Sequence, residues 1–101
     1  MPKHIPIDPD TIVRRSREII FSRLDDELLA IHSEGGLCYS LNESAASVWE
    51  NMKEAIAVRE LCSRMRATYA VNEQVCMSDV LEILSALNDA GLVEVVDAPA
   101  D

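Results

Sequence analysis

The sequence GLCYSLNESAASVWE, residues 36 to 50, changes from a strand pattern to a helix pattern within a few positions. Large apolar side chains alternate with small ones across 37–41, which is typical of a strand with one buried face. After it the apolar residues recur at helical spacing, and Asn42 or Ser44 can accept hydrogen bonds from the first free amides of a helix. We therefore predict a strand at 37–41 that leads directly into a helix at 43–53.

Two further strands are predicted before this one. Residues 19–24 are rich in bulky and β-branched side chains and are followed by the turn-forming pair Asp25-Asp26. A second run at 27–33 is closed by 34–36, where glycines can take the positive φ of a tight hairpin. These patterns predict a small antiparallel meander, and residues 11–16 are compatible with a preceding strand or an edge ribbon.

Two more helices are predicted after residue 53. The first covers 58–69 and keeps most of its arginines away from its apolar face. The second covers 73–90 and is ended by Gly91, which supplies a left-handed cap before a short extended segment at 92–96. The fold class is thus α+β, a three-stranded antiparallel sheet followed by three helices, of the winged helix-turn-helix kind.

Length and proline content define the domain boundaries. A chain of 101 residues can form one hydrophobic core but not two. Residues 1–10 contain three of the four prolines and no periodic pattern, so they are predicted to be a disordered arm. Residues 97–101 are predicted to be a flexible tail, which leaves 11–96 as the folded domain.

The charge distribution argues against nucleic-acid binding. The net charge is -9, and residues 71–101 contain seven acidic side chains and no Lys or Arg. Since nucleic-acid affinity depends on cations that displace phosphate counterions, this surface should repel DNA and RNA. There is also no signal-type apolar segment and no run long enough to span a membrane, so we expect a cytoplasmic protein.

The three cysteines and two histidines do not predict a catalytic or metal site. Cys38, Cys62 and Cys76 are too widely spaced for a paired metal motif, which favours reduced structural thiols and no metal or cofactor. His32 and Cys38 lie on neighbouring predicted strands, and a thiol beside an imidazole is the minimum for nucleophilic catalysis. Two residues are a weak motif, however, so we predict no enzymatic activity and no catalytic residue.

The third helix and the third strand carry the functional signal. The apolar stripe of the helix spans nearly half its circumference, so one flank can remain as an uncovered groove; the alternative is a fully covered core helix. The strand at 37–41 leads straight into a helix, so it can be a sheet edge whose free backbone groups pair with an incoming peptide. The alternative is an edge with no ligand. The stripe consists of Cys76, Met77, Val80, Leu81, Ile83, Leu84 and Leu87.

Over residues 18 to 96 the sequence resembles the PqqD-like family of RiPP recognition elements, including the small B1-type proteins of lasso-peptide pathways. The resemblance implies a leader peptide that adds a strand to the third strand and packs against the third helix. It places backbone pairing at Cys38, Tyr39, Ser40 and Leu41, an apolar pocket at Met77, Val80, Leu81 and Leu84, and contacts to basic leader residues at Asp79 and Glu82. The matching residues are Gly36 to Asn42, Ala45, Val48-Trp49, Val58, Glu60-Leu61, Tyr69, Asp79 to Leu84, Leu87 and Gly91 to Val93.

The resemblance implies a non-catalytic adaptor, monomeric or homodimeric, that presents a ribosomally made precursor peptide to a modifying enzyme or leader peptidase. Two alternatives remain at this stage. One is a PqqD-like chaperone for a radical SAM enzyme in the biosynthesis of a pyrroloquinoline quinone-type cofactor. The other is an acidic winged-helix regulator or a self-associating structural domain.

Overall fold

The computed structural model describes residues 7–25, 27–33, 35–68 and 71–96. The predicted arm at 1–6, the predicted tail at 97–101, and residues 26, 34, 69 and 70 lie outside these ranges. The elements in chain order are β1 Ile12–Arg15, β2 Ile19–Leu24, β3 Glu27–His32, β4 Cys38–Leu41, α1 Glu43–Glu50, β5 Ile56–Ala57, α2 Val58–Thr68, α3 Glu73–Asp89 and β6 Val93–Val96.

The predicted meander is present as the antiparallel sheet β2-β3-β4. Ala30 lies opposite Phe21 on one side and Tyr39 on the other, and the pairing continues in register along the three strands. Because side chains alternate between faces, Leu28 and Ala30 of β3 and Leu41 of β4 point towards the helices and are buried. The opposite face of the sheet carries Ile20 and Leu24, which are largely exposed.

A second antiparallel sheet, with the order β5-β1-β6, was not predicted as such. β1 is its central strand, whereas the sequence suggested only a preceding strand or an edge ribbon. The two-residue strand β5 was not predicted. Arg14 and Arg15 made β1 look unlike a central strand, but Arg14 is paired with Glu94 of β6, with Nε and Oε1 at 3.0 Å.

Arg15 joins the second sheet to the rest of the domain. Its guanidinium carbon lies 4.8 Å from the ring centroid of Phe21 and 4.9 Å from that of Trp49. It also donates two hydrogen bonds to the carbonyl oxygen of Trp49, from Nη2 at 2.6 Å and from Nε at 3.1 Å. Burial between these rings lowers the pKa of Arg15. The cation therefore holds β1, β2 and α1 together through stacking and hydrogen bonds.

The three predicted helices are present, and asparagine caps two of them. The side chain of Asn42 accepts from the N–H of Ala45 at 2.8 Å, which fixes the junction between β4 and α1. Asn72 accepts from the N–H of Gln74 at 2.7 Å at the start of α3. Helix α1 ends at Glu50 rather than at residue 53, because Asn51 turns back and donates its side-chain amide to the carbonyl oxygen of Ser47.

Gly91 ends α3 in a Schellman motif, as the sequence indicated. The N–H of Leu92 donates to the carbonyl of Leu87 at 2.9 Å, and the N–H of Gly91 donates to that of Asn88 at 3.0 Å. Gly91 has φ +80°, and a Cβ at this position would lie 3.2 Å from Nε2 of His32. The end of α3 is thus fixed against β3 as well as capped.

Gly91→Ala should lower the free energy of unfolding by about 1–2 kcal/mol from the left-handed backbone alone. The close contact between the added Cβ and His32 should lower it further. Gly36→Ala is the matched control, because Gly36 has φ +71° and no atom within 4 Å of the added Cβ. Denaturant unfolding of both variants measures the difference, which isolates the contact with His32. Equal losses would show that His32 moves aside without cost.

Residues 7–10, predicted as part of the disordered arm, pack on the domain. The N–H of Thr11 donates to the carbonyl of Asp8 at 3.0 Å, which closes a turn. The carbonyl of Pro9 accepts from the N–H of Arg59 at 2.9 Å, and the Arg59 guanidinium contacts Asp10 at 2.7 Å. The hydrogen bond to Asp10 raises the pKa of Arg59. The start of the folded region therefore lies before residue 11.

Among the described residues, none of the helices has the length and apolar character required to span a membrane.

Candidate functional site

The open edge of the meander lies on β4. Within the described residues β3 is its hydrogen-bonding neighbour on one side, and the other side has no paired strand. The N–H of His32 donates to the carbonyl of Leu37 at 2.9 Å, so this pair and every second pair after it exchange hydrogen bonds. Tyr39 and Leu41 therefore turn their backbone groups towards β3. Cys38 and Ser40 turn theirs to the open edge, where an added strand can pair.

The side chains of β4 alternate between the two faces of the sheet. Tyr39 is half-buried and Leu41 is buried, both on the face of the sheet that meets the helices. Cys38 and Ser40 are exposed on the other face, where Ser40 Oγ donates to Glu27 Oε2 at 2.9 Å. An added strand would thus use the backbone of Cys38 and Ser40 and would meet the side chains of Tyr39 and Leu41 at the cleft.

A cleft of about 320 Å³ lies between β4 and the C-terminal half of α3. Its size is within the lower range of ligand pockets, and it opens directly beside the free edge. Most of its lining is apolar, and small alanines leave room for side chains between the strand and the helix. The lining residues are Tyr39, Ser40, Leu41, Asn42, Ala45, Glu82, Ile83, Ala86, Leu87, Ala90 and Leu92.

None of the four residues predicted for the apolar pocket lines this cleft. Met77 and Leu81 line a separate groove with Glu73, Gln74 and Ser78. Leu81 and Ile83 project from α3 about 160° apart, because each residue of a helix advances by roughly 100°. The open flank beside β4 is the one that carries Ile83, and Met77 and Leu81 do not line the cleft there.

Two other predicted pocket residues lie in the core. Val80 is 1% exposed and Leu84 is fully buried, so they offer little surface to a ligand. The cleft-lining residues that sequence reasoning missed are Ile83 and Ala86 on α3 and Ala90 directly after it. Ile83 was visible as one flank of the stripe, but the helical pattern alone cannot tell which flank the other helices cover.

The predicted acidic residues border the open flank of α3. Glu82 is exposed and lines the cleft beside β4, and Asp79 is exposed one turn earlier. Among the described residues that line this cleft, none is Lys or Arg. The rim therefore has an unbalanced negative charge next to an apolar surface, which favours a ligand with both apolar and basic side chains.

The second edge of the meander, β2, has a different environment. The N–H of Ser33 donates to the carbonyl of Glu18 at 2.9 Å, so the outward backbone groups of this edge belong to Ile19, Phe21 and Arg23. Arg23 forms an ion pair with Glu50 at 2.9 Å, and Phe21 packs edge-on against Trp49 with ring centroids 5.6 Å apart. These contacts occupy the helix-facing side of β2, whereas β4 has the cleft there.

The thiol–imidazole pair considered from the sequence is not formed. In β3 the side chain of His32 shares a face with Ala30, whereas Cys38 lies opposite Ile31 on the other face of the sheet. His32 points to the end of α3, near Gly91. The described residues also contain no group of three or more His, Cys, Asp or Glu placed to hold a metal ion.

The three cysteines differ sharply in accessibility. Cys38 is exposed, whereas Cys62 and Cys76 are buried between α2 and α3. Burial, and to a smaller extent the neighbouring Cys76 thiol, raises the pKa of Cys62 to about 12. The reactive thiolate of Cys62 is therefore almost absent near neutral pH.

We expect a thiol reagent such as DTNB to modify Cys38 rapidly in the native protein and all three thiols after denaturation. Cys38→Ser should remove the rapid phase and leave the two slow thiols unchanged. Absorbance at pH 8 follows the released thiolate. Any rapid phase in native Cys38→Ser would show that α2 and α3 open readily.

The chain is thus a small α+β domain with an open edge strand beside a helix cleft. The family model described as coenzyme PQQ synthesis protein D (PqqD) matches residues 27 to 93, which is more than half of the chain. The chain belongs to the PqqD family, as predicted. No curated protein matches the sequence.

Three solved structures share the fold. TbiB1 in complex with the TbiA(beta) leader peptide has a TM-score of 0.74 at 22% identity, covering 84% of this chain and 99% of that chain. A lasso peptide synthetase B1 complexed with the leader peptide has a TM-score of 0.70 at 17% identity, covering 81% and 96%. The PqqD truncation of Methylobacterium extorquens PqqCD, described as a stand-alone RiPP recognition element, has a TM-score of 0.71 at 14% identity, covering 87% and 94%.

Proposed function

We propose that this chain is a non-catalytic adaptor that binds the leader segment of a ribosomally synthesised precursor peptide as an added β-strand. The observation that supports it most is the outward backbone of Cys38 and Ser40 beside the apolar cleft. Main-chain pairing along an edge accepts many sequences, and the neighbouring cleft selects among them through alternate side chains. The bound leader then presents the rest of the precursor to a modifying enzyme or leader peptidase.

The family and the similar structures support this proposal. Two of those proteins are described as complexes with leader peptides, and the third as a recognition element. This chain has an open strand and a cleft against α3, where such a peptide can bind. We further propose that the fold is winged helix-turn-helix-like and that it binds peptide rather than DNA. The acidic, exposed residues Asp79, Glu82 and Asp89 on α3 support this preference.

The expected affinity comes mainly from the cleft. A backbone hydrogen bond contributes about 0.5–1.5 kcal/mol net, because it replaces bonds to water. A fully buried apolar side chain contributes about 1.5–3 kcal/mol. Two or three leader side chains in the cleft therefore outweigh the backbone pairs at Cys38 and Ser40, which fix the orientation and register of the leader.

A peptide selected from a displayed library of random sequences, each about 15 residues long, provides a probe for this site. Extended, such a peptide spans about 50 Å, more than the largest dimension of the protein, 37 Å. We call the tightest binder of the intact chain the leader probe. A short open reading frame next to the gene should encode the precursor, and the N-terminal half of its product should displace the leader probe. If no peptide from the neighbouring genes displaces it, the leader-binding proposal is contradicted.

A second candidate is a chaperone for a radical SAM enzyme in the biosynthesis of a pyrroloquinoline quinone-type cofactor. The match to the family of coenzyme PQQ synthesis proteins favours it. Both candidates bind a precursor peptide in a cytoplasmic setting and differ in the enzyme served. Pull-down of purified enzymes encoded beside the gene, with and without the leader probe, distinguishes them: a radical enzyme retained only with peptide favours the chaperone.

A further inference from the structure

A second apolar pocket continues the cleft beyond the end of β4. It lies between α2, the N-terminal half of α3 and the start of α1, and has a volume of about 150 Å³. A cavity of this size holds a benzene-sized group, so it fits one large apolar side chain. Its lining residues are Ser44, Met65, Val71, Cys76, Asp79, Val80 and Ile83.

The two pockets form one path along α3. Ile83 lines both of them, so a ligand leaves one and enters the other across the same side chain. The direction of β4 is consistent with this path. The strand runs towards Asn42 and Ala45, which line the cleft, and Ser44 between them lines the second pocket. A strand paired with β4 therefore reaches the second pocket where it passes the Leu41 end.

The entrance of this pocket is apolar and open to solvent. Val71 is 41% exposed and forms part of its wall. Below it, Met65, Cys76 and Val80 are buried. An exposed valine above a buried apolar floor is a surface that gains free energy when a ligand covers it.

Asp79 gives the pocket a charge preference. It is exposed in the wall, and no cation among the described residues forms an ion pair with it. A lysine or arginine next to the apolar side chain of the ligand would meet this carboxylate at the surface.

The lengths of the elements determine the footprint. The path from Cys76 to Ala90 along α3 is about 21 Å, at 1.5 Å per residue. The four residues of β4 cover only about 13 Å, so an extended ligand needs about six residues to follow the whole path. The strand pairing alone leaves the last two or three residues of that path without a backbone partner.

We infer that the second pocket binds a large apolar side chain of the same leader, two or three residues beyond the strand that pairs with β4 and next to a basic residue. This inference rests on the proposed function and adds a second anchor to it. The leader motif is then a paired strand followed by an apolar anchor, rather than the strand alone.

Val71→Asp tests the anchor with the leader probe and with a shortened probe that retains only the strand segment. We expect Val71→Asp to weaken the full probe at least tenfold and the shortened probe less than twofold, measured by fluorescence anisotropy. Leu24→Asp is the matched control, because Leu24 is exposed on the outer face of the meander. Asp79→Asn should weaken the full probe by about two- to fivefold at low salt and less at high salt.

The outcomes separate the two proposals. If Val71→Asp leaves the full probe unchanged while substitution of Ile83 abolishes binding, the anchor inference is wrong and the adaptor proposal survives. If neither position affects any selected peptide, both are wrong. An alanine scan of the probe gives an independent check, because the anchor must appear as one sensitive apolar residue outside the strand segment.

Discussion

Ile83→Asp is expected to weaken binding of the leader probe by about 30- to 100-fold, whereas Leu81→Asp leaves it within about twofold; the first change equals about 2–3 kcal/mol. Ile83 lines both pockets, so a carboxylate there loses apolar contact and must be desolvated when a ligand covers it. Leu81 belongs to the separate groove on the other side of α3.

The pair is well matched for this comparison. Both side chains are half-buried aliphatic residues on the same helix, and each is packed partly against the core. Thermal unfolding of both variants tests whether either loses stability. Equal weakening of the probe by the two variants would show that the ligand does not distinguish the flanks of α3, contrary to the position proposed for the leader.

Ser40→Pro is expected to weaken the leader probe by at least tenfold, while Ser40→Ala changes it less than twofold. Proline removes the N–H that Ser40 directs to the open edge, and its ring obstructs the incoming strand. The pairing of β4 with β3 is not at risk, because Ser40 directs its backbone groups away from β3. Edge strands accept proline where the missing N–H faces solvent, so the fold should remain.

Ser40→Ala isolates the backbone effect from that of the side chain. Both variants lose the hydrogen bond from Ser40 Oγ to Glu27, so only proline removes the outward donor. Titration by fluorescence anisotropy at constant salt compares them, and circular dichroism checks the sheet. Normal binding by a folded Ser40→Pro protein would mean that the ligand sits in the cleft without pairing to β4.

Local sequence patterns were sufficient for the meander, the order of the helices and the end of α3. The alternation at 37–41, the cap at Asn42 and the glycine at 91 each report on a few neighbouring residues, and the structure confirms all three. The edge position of β4 also followed from the chain, since a strand that enters a helix directly has no next strand to pair with.

Long-range contacts account for what the sequence did not show. β1 is a central strand because Glu94 neutralises Arg14 and because Phe21 and Trp49 enclose Arg15, and these partners are distant along the chain. A helical wheel similarly identifies the apolar residues of α3 but not the direction of its open flank. That direction depends on where α2 and β4 pack, so the pattern alone does not separate Ile83, which lines the cleft, from Met77 and Leu81, which line the other groove.

Amide hydrogen exchange followed by NMR tests the edge-pairing mechanism most directly. With saturating leader probe, the N–H groups of Cys38 and Ser40 should become protected, because each gains a partner on the added strand. The outward amides of Phe21 and Arg23 on β2 should exchange at their original rates. Binding that protects β2, or that leaves Cys38 and Ser40 unchanged, would contradict a leader strand on β4.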